Sequence, residues 1–131
     1  MNSLRILIVE DDSLIGMLLA DMLVALGHSV CATETTEVMA VTAALEHRPD
    51  LMIIDAGLRI GSGISALKTI LQTGFVPHLF VSGKPAQIRS ALPDSIVLEK
   101  PFREVDLVRA IERALLLPAA ALSSSSDLQT F

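Results

Sequence analysis

Four apolar runs in this chain each close on residues able to do chemistry. Glu10, Asp11 and Asp12 follow residues 5–9, Asp55 follows 51–54, Ser82 and Gly83 follow 79–81, and Lys100 and Pro101 follow 96–98. Glu10, Asp11 and Asp55 are hard oxygen donors. Crowded together without a cation, they would push at least one pKa upward, and a divalent ion relieves that repulsion. Mg²⁺ suits the set better than Zn²⁺, because no His or Cys accompanies the carboxylates and Mg²⁺ takes one or two carboxylates with water and phosphate oxygens. Lys100 turns cation binding toward phosphate handling. Its ammonium can neutralise a phosphoryl oxygen opposite the metal while the Ser82 hydroxyl donates to another. An Asp carboxylate is a known kind of covalent phosphoryl carrier, needing little beyond positioning and charge neutralisation, and Asp55 is the candidate. Each residue alone has a plainer reading: Glu10 to Asp12 as a loop and helix cap, Ser82 as a turn former, Lys100 as a solvated lysine. Their order, each set at or one residue past the end of an apolar run, favours one pocket.

The runs themselves, RILIV, LMII, LFV and IVL, are short, rich in β-branched residues and too apolar to face water, which predicts buried parallel strands. Parallel strands bring their carboxyl ends to one edge of a sheet, where ligands of open α/β sheets bind. A further short strand is expected at 29–32. Amphipathic helices alternate with the strands, the pattern of a parallel sheet covered on both faces. The first is expected from a cap at Asp12 or Ser13 to about Leu26, where Gly27 supplies a left-handed terminus. The second starts at Thr35 or Thr36 with Val38, Val41 and Leu45 on its periodic stripe and breaks at Arg48, Pro49 and Asp50. The third runs from about Ile64 to Leu71 after a loop in which Gly57, Gly61 and Gly63 permit close backbone approach. The fourth covers about Pro85 to Leu92, and the fifth follows Pro101 with Leu107, Val108, Ile111 and Leu115 on one stripe.

A length of 131 residues fits one domain, expected over 1–117, with a flexible tail at 118–131 whose Ala-rich and Ser-rich composition cannot order itself. Fifteen acidic against ten basic residues give a net charge of −5, which argues against direct nucleic-acid binding. The single cysteine, Cys31, rules out a disulfide within the chain, suits a reducing compartment and reads as a small buried hydrophobe. There is no signal-like N-terminus and no apolar run long enough for membrane insertion, so a cytoplasmic protein is expected. His28, His47 and His78 are scattered and read as packed or surface residues. The glycine-rich 57–63 loop lacks the Gly-Lys-Ser/Thr ending of a nucleotide-binding loop.

Taken together, the motifs resemble those of the receiver domains of response regulators in two-component phosphorelays, over about residues 4 to 117. The acidic pair matches Glu10 and Asp11, the phosphoacceptor Asp55, the strand-end hydroxyl Ser82, and the Lys-Pro pair Lys100 and Pro101. The resemblance implies a doubly wound α/β fold of three layers, with a five-stranded parallel sheet in the flavodoxin-like order 2-1-3-4-5. It also implies that Asp11, Asp55 and the backbone carbonyl of Gly57 touch Mg²⁺, with Glu10 acting through water. Asp12 is then an auxiliary or capping acid, Gly83 part of the switch loop, and Pro101 a cis-prone proline. The implied partners are a histidine kinase or histidine phosphotransfer protein and a downstream protein, in a signalling role without enzymatic turnover. Two departures stand out. Many receivers carry Pro four residues after the phosphoacceptor, where this chain has Arg59. Most carry an aromatic residue on the fifth strand that swings inward on activation, and here the position is Val97. The strand 4 ending Phe80-Val81-Ser82-Gly83 is similar to a stand-alone branch with a Phe-Ala-Thr-Gly-type ending, with Lys84 in place of its usual Tyr. No output segment is expected after the fifth helix. A receiver fold kept for docking without phosphorylation is the main alternative. An aspartyl-phosphate phosphohydrolase is a weaker one, since Gly57 stands where such enzymes place a second Asp.

The first helix carries more apolar residues than one buried face requires. Ile15, Leu18, Leu19, Met22, Leu23 and Leu26 are expected toward the core, leaving Leu14, Met17 and Val24 outside with Asp21. Leu14 and Met17, near the acidic pocket, are candidate docking residues for the phosphodonor.

Overall fold

The computed structural model describes residues 2–117. The tail expected at 118–131 lies outside the described residues. Strands and helices alternate as β1 (Arg5–Val9), α1 (Ser13–Ala25), β2 (Ser29–Glu34), α2 (Glu37–His47), β3 (Leu51–Asp55), α3 (Gly63–Leu71), β4 (His78–Ser82), α4 (Pro85–Ala91), β5 (Val97–Glu99) and α5 (Glu104–Leu116). The five strands form one parallel sheet in the order β2-β1-β3-β4-β5. This is the doubly wound, flavodoxin-like α/β arrangement.

Side-chain alternation along each strand divides the interior into two cores. Ile6 and Ile8 of β1 point to one face with Ile53, Leu79 and Val81, packed against Leu19 and Leu23 of α1 and Leu107 and Ile111 of α5. Leu7 and Val9 point to the other face with Met52, Ile54 and Phe80, packed against α2, α3 and Ile88 of α4. Because both faces are covered, the central strands β1, β3 and β4 carry near-continuous apolar sequence, whereas the edge strand β2, SVCATE, is only partly buried.

Helix ends follow local chemistry. Asp12 caps α1, its Oδ1 accepting the N–H groups of Leu14 and Ile15, and Gly27 follows at φ 95°. Thr36 caps α2 and Ser62 caps α3 through side-chain oxygens. Strand β2 extends to Glu34, two residues beyond the expected 29–32, because its ladder with β1 continues to the Val9–Glu34 pair.

Several faces differ from expectation. Helix α2 buries Ala40, Ala43 and Ala44, while Val38 and Leu45 face solvent. Helix α5 buries Ala110 and Ala114 beside Leu107 and Ile111, and Leu115 lies outside. On α1, Leu18 is exposed in line with Leu14, one turn earlier on the same stripe, and the buried place goes to Gly16. Small residues let these helices sit close to the sheet. A β-carbon at Gly16 would meet the Thr33 and Glu10 side chains at ordinary van der Waals distance. Cys31 is partly exposed rather than buried, its thiol directed at the Ile6 carbonyl.

Candidate functional site

All five strands deliver their carboxyl ends to one edge, and the reactive residues sit there. Glu10 prolongs β1, donating its N–H to the Glu34 carbonyl at 2.9 Å, and is only 2% exposed. One of its carboxylate oxygens accepts the Asp12 N–H at 3.1 Å. Asp55 ends β3, and its Oδ1 accepts the Gly57 N–H at 2.9 Å, which fixes the carboxylate against the start of the following loop. Glu10, Asp11 and Asp55 each place a carboxylate oxygen within 4.8 Å of the other two.

Lys100 reaches this cluster from β5. Its Nζ lies 3.4 Å from Glu10 Oε1 and 3.6 Å from Asp55 Oδ2. The Lys100 N–H donates to the Ser82 carbonyl at 2.9 Å, so the ends of β4 and β5 are tied together. Ser82 Oγ accepts the Lys84 N–H at 2.9 Å, which leaves its O–H to donate elsewhere. The Lys100-Pro101 bond is cis. A cleft of about 430 Å³ is lined by Asp55, Gly57, Ser82, Gly83 and Lys100 together with Gln87.

The electrostatics follow from crowding. Burial is the main cause that pushes the Glu10 carboxyl up to about 7; the adjacent Asp55 carboxylate adds to it, and the Asp12 N–H and Lys100 pull the other way. Burial also pushes Asp11 up, but the Arg59 N–H and guanidinium outweigh it and hold this carboxyl below the usual carboxylate range. Three convergent oxygens with a buried acid short of positive charge are a donor set that fits Mg²⁺.

The residues singled out in the sequence separate into three groups. Glu10, Asp11, Asp55, Ser82, Gly83 and Lys100 come together, with Gly57 beside them. Asp12 turns away to cap α1. Leu14 and Met17 stand on the outer face of α1, 76% and 63% exposed, outside the cleft but on the helix that starts at its rim. Of the loop glycines, Gly57 has only ordinary contact around a would-be β-carbon. Gly61 and Gly63 are the ones that close approach requires: a β-carbon at Gly61, where φ is 85°, would collide with the Glu37 side chain, and one at Gly63 with the Asp55 carbonyl and the Ala56 backbone. Val97 pairs with Phe80 and is partly buried, so no aromatic side chain stands at the switch position on β5.

Two features escaped the sequence. Gln87, on the first turn of α4, joins the cleft lining, and nothing in its spacing signals this. Arg59 was visible only as a departure from the usual proline, yet it bonds Asp11 from 48 residues away.

A parallel sheet in this order, with acids, hydroxyl and lysine gathered at its carboxyl edge, defines a receiver. The chain belongs to the response regulator receiver domain family of two-component systems, whose family model matches residues 6–112. The chemotaxis protein CheY of Bacillus subtilis is 33% identical over 118 residues, covering 85% of this chain and 97% of that protein. The transcriptional regulatory protein PdtaR of Mycobacterium tuberculosis is also 33% identical over 85% of this chain, which spans 56% of that longer protein. Among solved structures, the receiver domain of the PhyR response regulator from Erythrobacter litoralis superposes with a TM-score of 0.80. It is 33% identical, with 89% of this chain and 93% of that one covered. No helix among the described residues is long and apolar enough to cross a membrane.

Proposed function

We propose that the chain is a phosphoacceptor switch: Asp55 takes a phosphoryl group from a histidine kinase or histidine phosphotransfer protein, and the altered surface changes the binding of a downstream protein. The observation that carries this reading is the meeting of Asp55 with Lys100, Ser82 and the Glu10–Asp11 pair in one cleft. An Asp55 carboxylate oxygen attacks the phosphorus of a phosphohistidine. An O–P bond forms as the P–N bond breaks, and the electron pair returns to the imidazole. Glu10, Asp11, Asp55 and the Gly57 carbonyl would hold Mg²⁺, which supplies neutralisation of phosphoryl oxygens when bound. Lys100 compensates the added charge from the opposite side, and the Ser82 hydroxyl donates to a phosphoryl oxygen. That bond draws the Ser82-Gly83 loop and α4 toward Asp55, carrying the signal without an aromatic gate. Leu14 and Met17 would meet apolar residues of the donor's helices. On this reading the chain is a cytoplasmic signalling protein without membrane insertion, and its net charge of −5 disfavours direct contact with nucleic acid.

A small phosphodonor separates this reading from a docking module that works without phosphorylation. Incubation with phosphoramidate should label the protein when Mg²⁺ is present and not when it is chelated. Failure to label under conditions that label a known receiver would favour the docking module. Rapid release of phosphate over many turnovers would instead favour a phosphohydrolase, against which Gly57 stands in place of a second Asp.

A further inference from the structure

The cations around the acidic cluster divide their work. Lys100 approaches from within the sheet and reaches Glu10 and Asp55. Arg59 approaches from outside and reaches Asp11. The Arg59 N–H donates to Asp11 Oδ2 at 2.7 Å, its Nε donates to the same oxygen at 3.2 Å, and its Nη2 donates to the Asp11 carbonyl at 3.3 Å. The Arg59 side chain is 79% exposed and that of Asp11 only 14%. The guanidinium therefore lies over the outer side of the cluster on a carboxylate that Lys100 does not serve. The proline that many receivers carry at this place has neither an N–H nor a cationic side chain, so this clamp belongs to the chain's own sequence.

We propose that the Arg59 guanidinium is a resident counter-ion for Asp11 that a divalent cation must displace, so that cation occupancy of the cluster is set by competition with this side chain. The inference rests on the reading of Glu10, Asp11 and Asp55 as the Mg²⁺ cluster. Two positive centres cannot share one carboxylate without repulsion, and the guanidinium is the one free to leave, being exposed and on a flexible stem. The backbone bond from the Arg59 N–H can persist, which keeps the loop near Asp11 while the side chain swings out. A guanidinium so exposed shifts affinity modestly, on the order of two- to fivefold. Its effect is to raise the Mg²⁺ concentration at which the cluster fills.

The test is Mg²⁺ titration of the full chain by calorimetry at fixed ionic strength, with thermal melts in chelator to verify folding. Arg59→Ala should bind Mg²⁺ about two- to fivefold tighter than wild type. The double variant Arg59→Ala/Ile60→Arg restores net charge on the neighbouring side chain, itself 68% exposed, and should stay tighter than wild type. In the wild type, the Arg59 Nε–H resonance should shift in step with saturation. Unchanged or weaker binding in Arg59→Ala overturns the displacement while leaving the cluster intact. Equal affinity of the double variant and wild type also overturns it, because diffuse charge would then explain the effect. Absence of Mg²⁺ binding in the wild type, or binding that survives both Asp11→Ala and Asp55→Asn, overturns the cluster reading and this inference with it.

Discussion

Replacing Asp55 by Asn should make the metal-free protein more stable, although it removes the proposed phosphoacceptor. Glu10 is raised from an ordinary 4.5 to about 7 in the folded chain. At about 1.4 kcal/mol per pH unit, that rise corresponds to about 3 kcal/mol of lost stability once Glu10 is ionised in both states. Burial is the largest cause and survives the substitution. The Asp55 carboxylate contributes the next share through its hydrogen bond and its charge, so its neutralisation should recover about 1 kcal/mol. Loss of the Lys100–Asp55 contact at 3.6 Å offsets a few tenths of that, leaving Lys100 to serve Glu10. The expected rise in melting temperature is about 2–6 °C. A raised folded-state pKa means the native state binds more protons than the unfolded state between 4.5 and about 7, so the penalty is absent below that window and complete above it. The gain in Asp55→Asn should therefore be near zero at about pH 4 and full at about pH 8. Thermal melts in excess chelator read it directly, and saturating Mg²⁺ should shrink or reverse the difference by stabilising the wild type more. A variant less stable than wild type at about pH 8, or a gain independent of pH, would refute the charge-crowding argument.

Three other expectations follow from the same geometry. Ser82→Ala should lose most of the α4 amide shift changes that a phosphoryl mimic induces, whereas Val97→Ala should keep them; the reverse pattern in NMR spectra would contradict a switch carried by the Ser82 hydroxyl. Leu14→Glu or Met17→Glu should slow phosphotransfer from a helical histidine donor about tenfold, equivalent to about 1.4 kcal/mol at a docking contact, while labelling by phosphoramidate stays unchanged. Equal loss with both donors would point to pocket damage instead. His28 is pushed down from 6.5, chiefly by burial, and its Nδ1 accepts the Leu4 N–H at 3.1 Å. Its contribution should thus be fully present above about pH 6.5 and be lost as pH falls through the lower folded value. Wild type should therefore lose stability relative to His28→Asn, which keeps an acceptor but does not titrate, as urea midpoints are compared from about pH 7 to 5; a constant difference would argue against that role.

The strands and the convergent pocket were legible because both depend on short-range sequence. RILIV, LMII, LFV and IVL have no polar side to offer water, and the parallel connection forces Glu10, Asp55, Ser82 and Lys100 to one edge. Which face each helix buries was less legible. More than half of the chain is hydrophobic at 51%, so Val38, Leu45 and Leu18 suited a core stripe as well as the residues that took it. On α2, close packing on the sheet selected Ala40, Ala43 and Ala44 instead, and that distance is a tertiary property. Arg59 could not be paired with Asp11 from spacing because the two loops meet only after β1 and β3 align at Val9 and Ile54.

The phosphoryl group is expected on Asp55 and on no other acid of the cluster. Borohydride reduction converts an acyl phosphate on Asp to homoserine, and peptide mapping by mass spectrometry then locates it. After treatment with phosphoramidate and Mg²⁺, position 55 alone should be converted, with none in chelator and none in Asp55→Asn. Conversion at Glu10 or Asp11, or an unmodified position 55 in protein that carries phosphoryl elsewhere, would contradict the account.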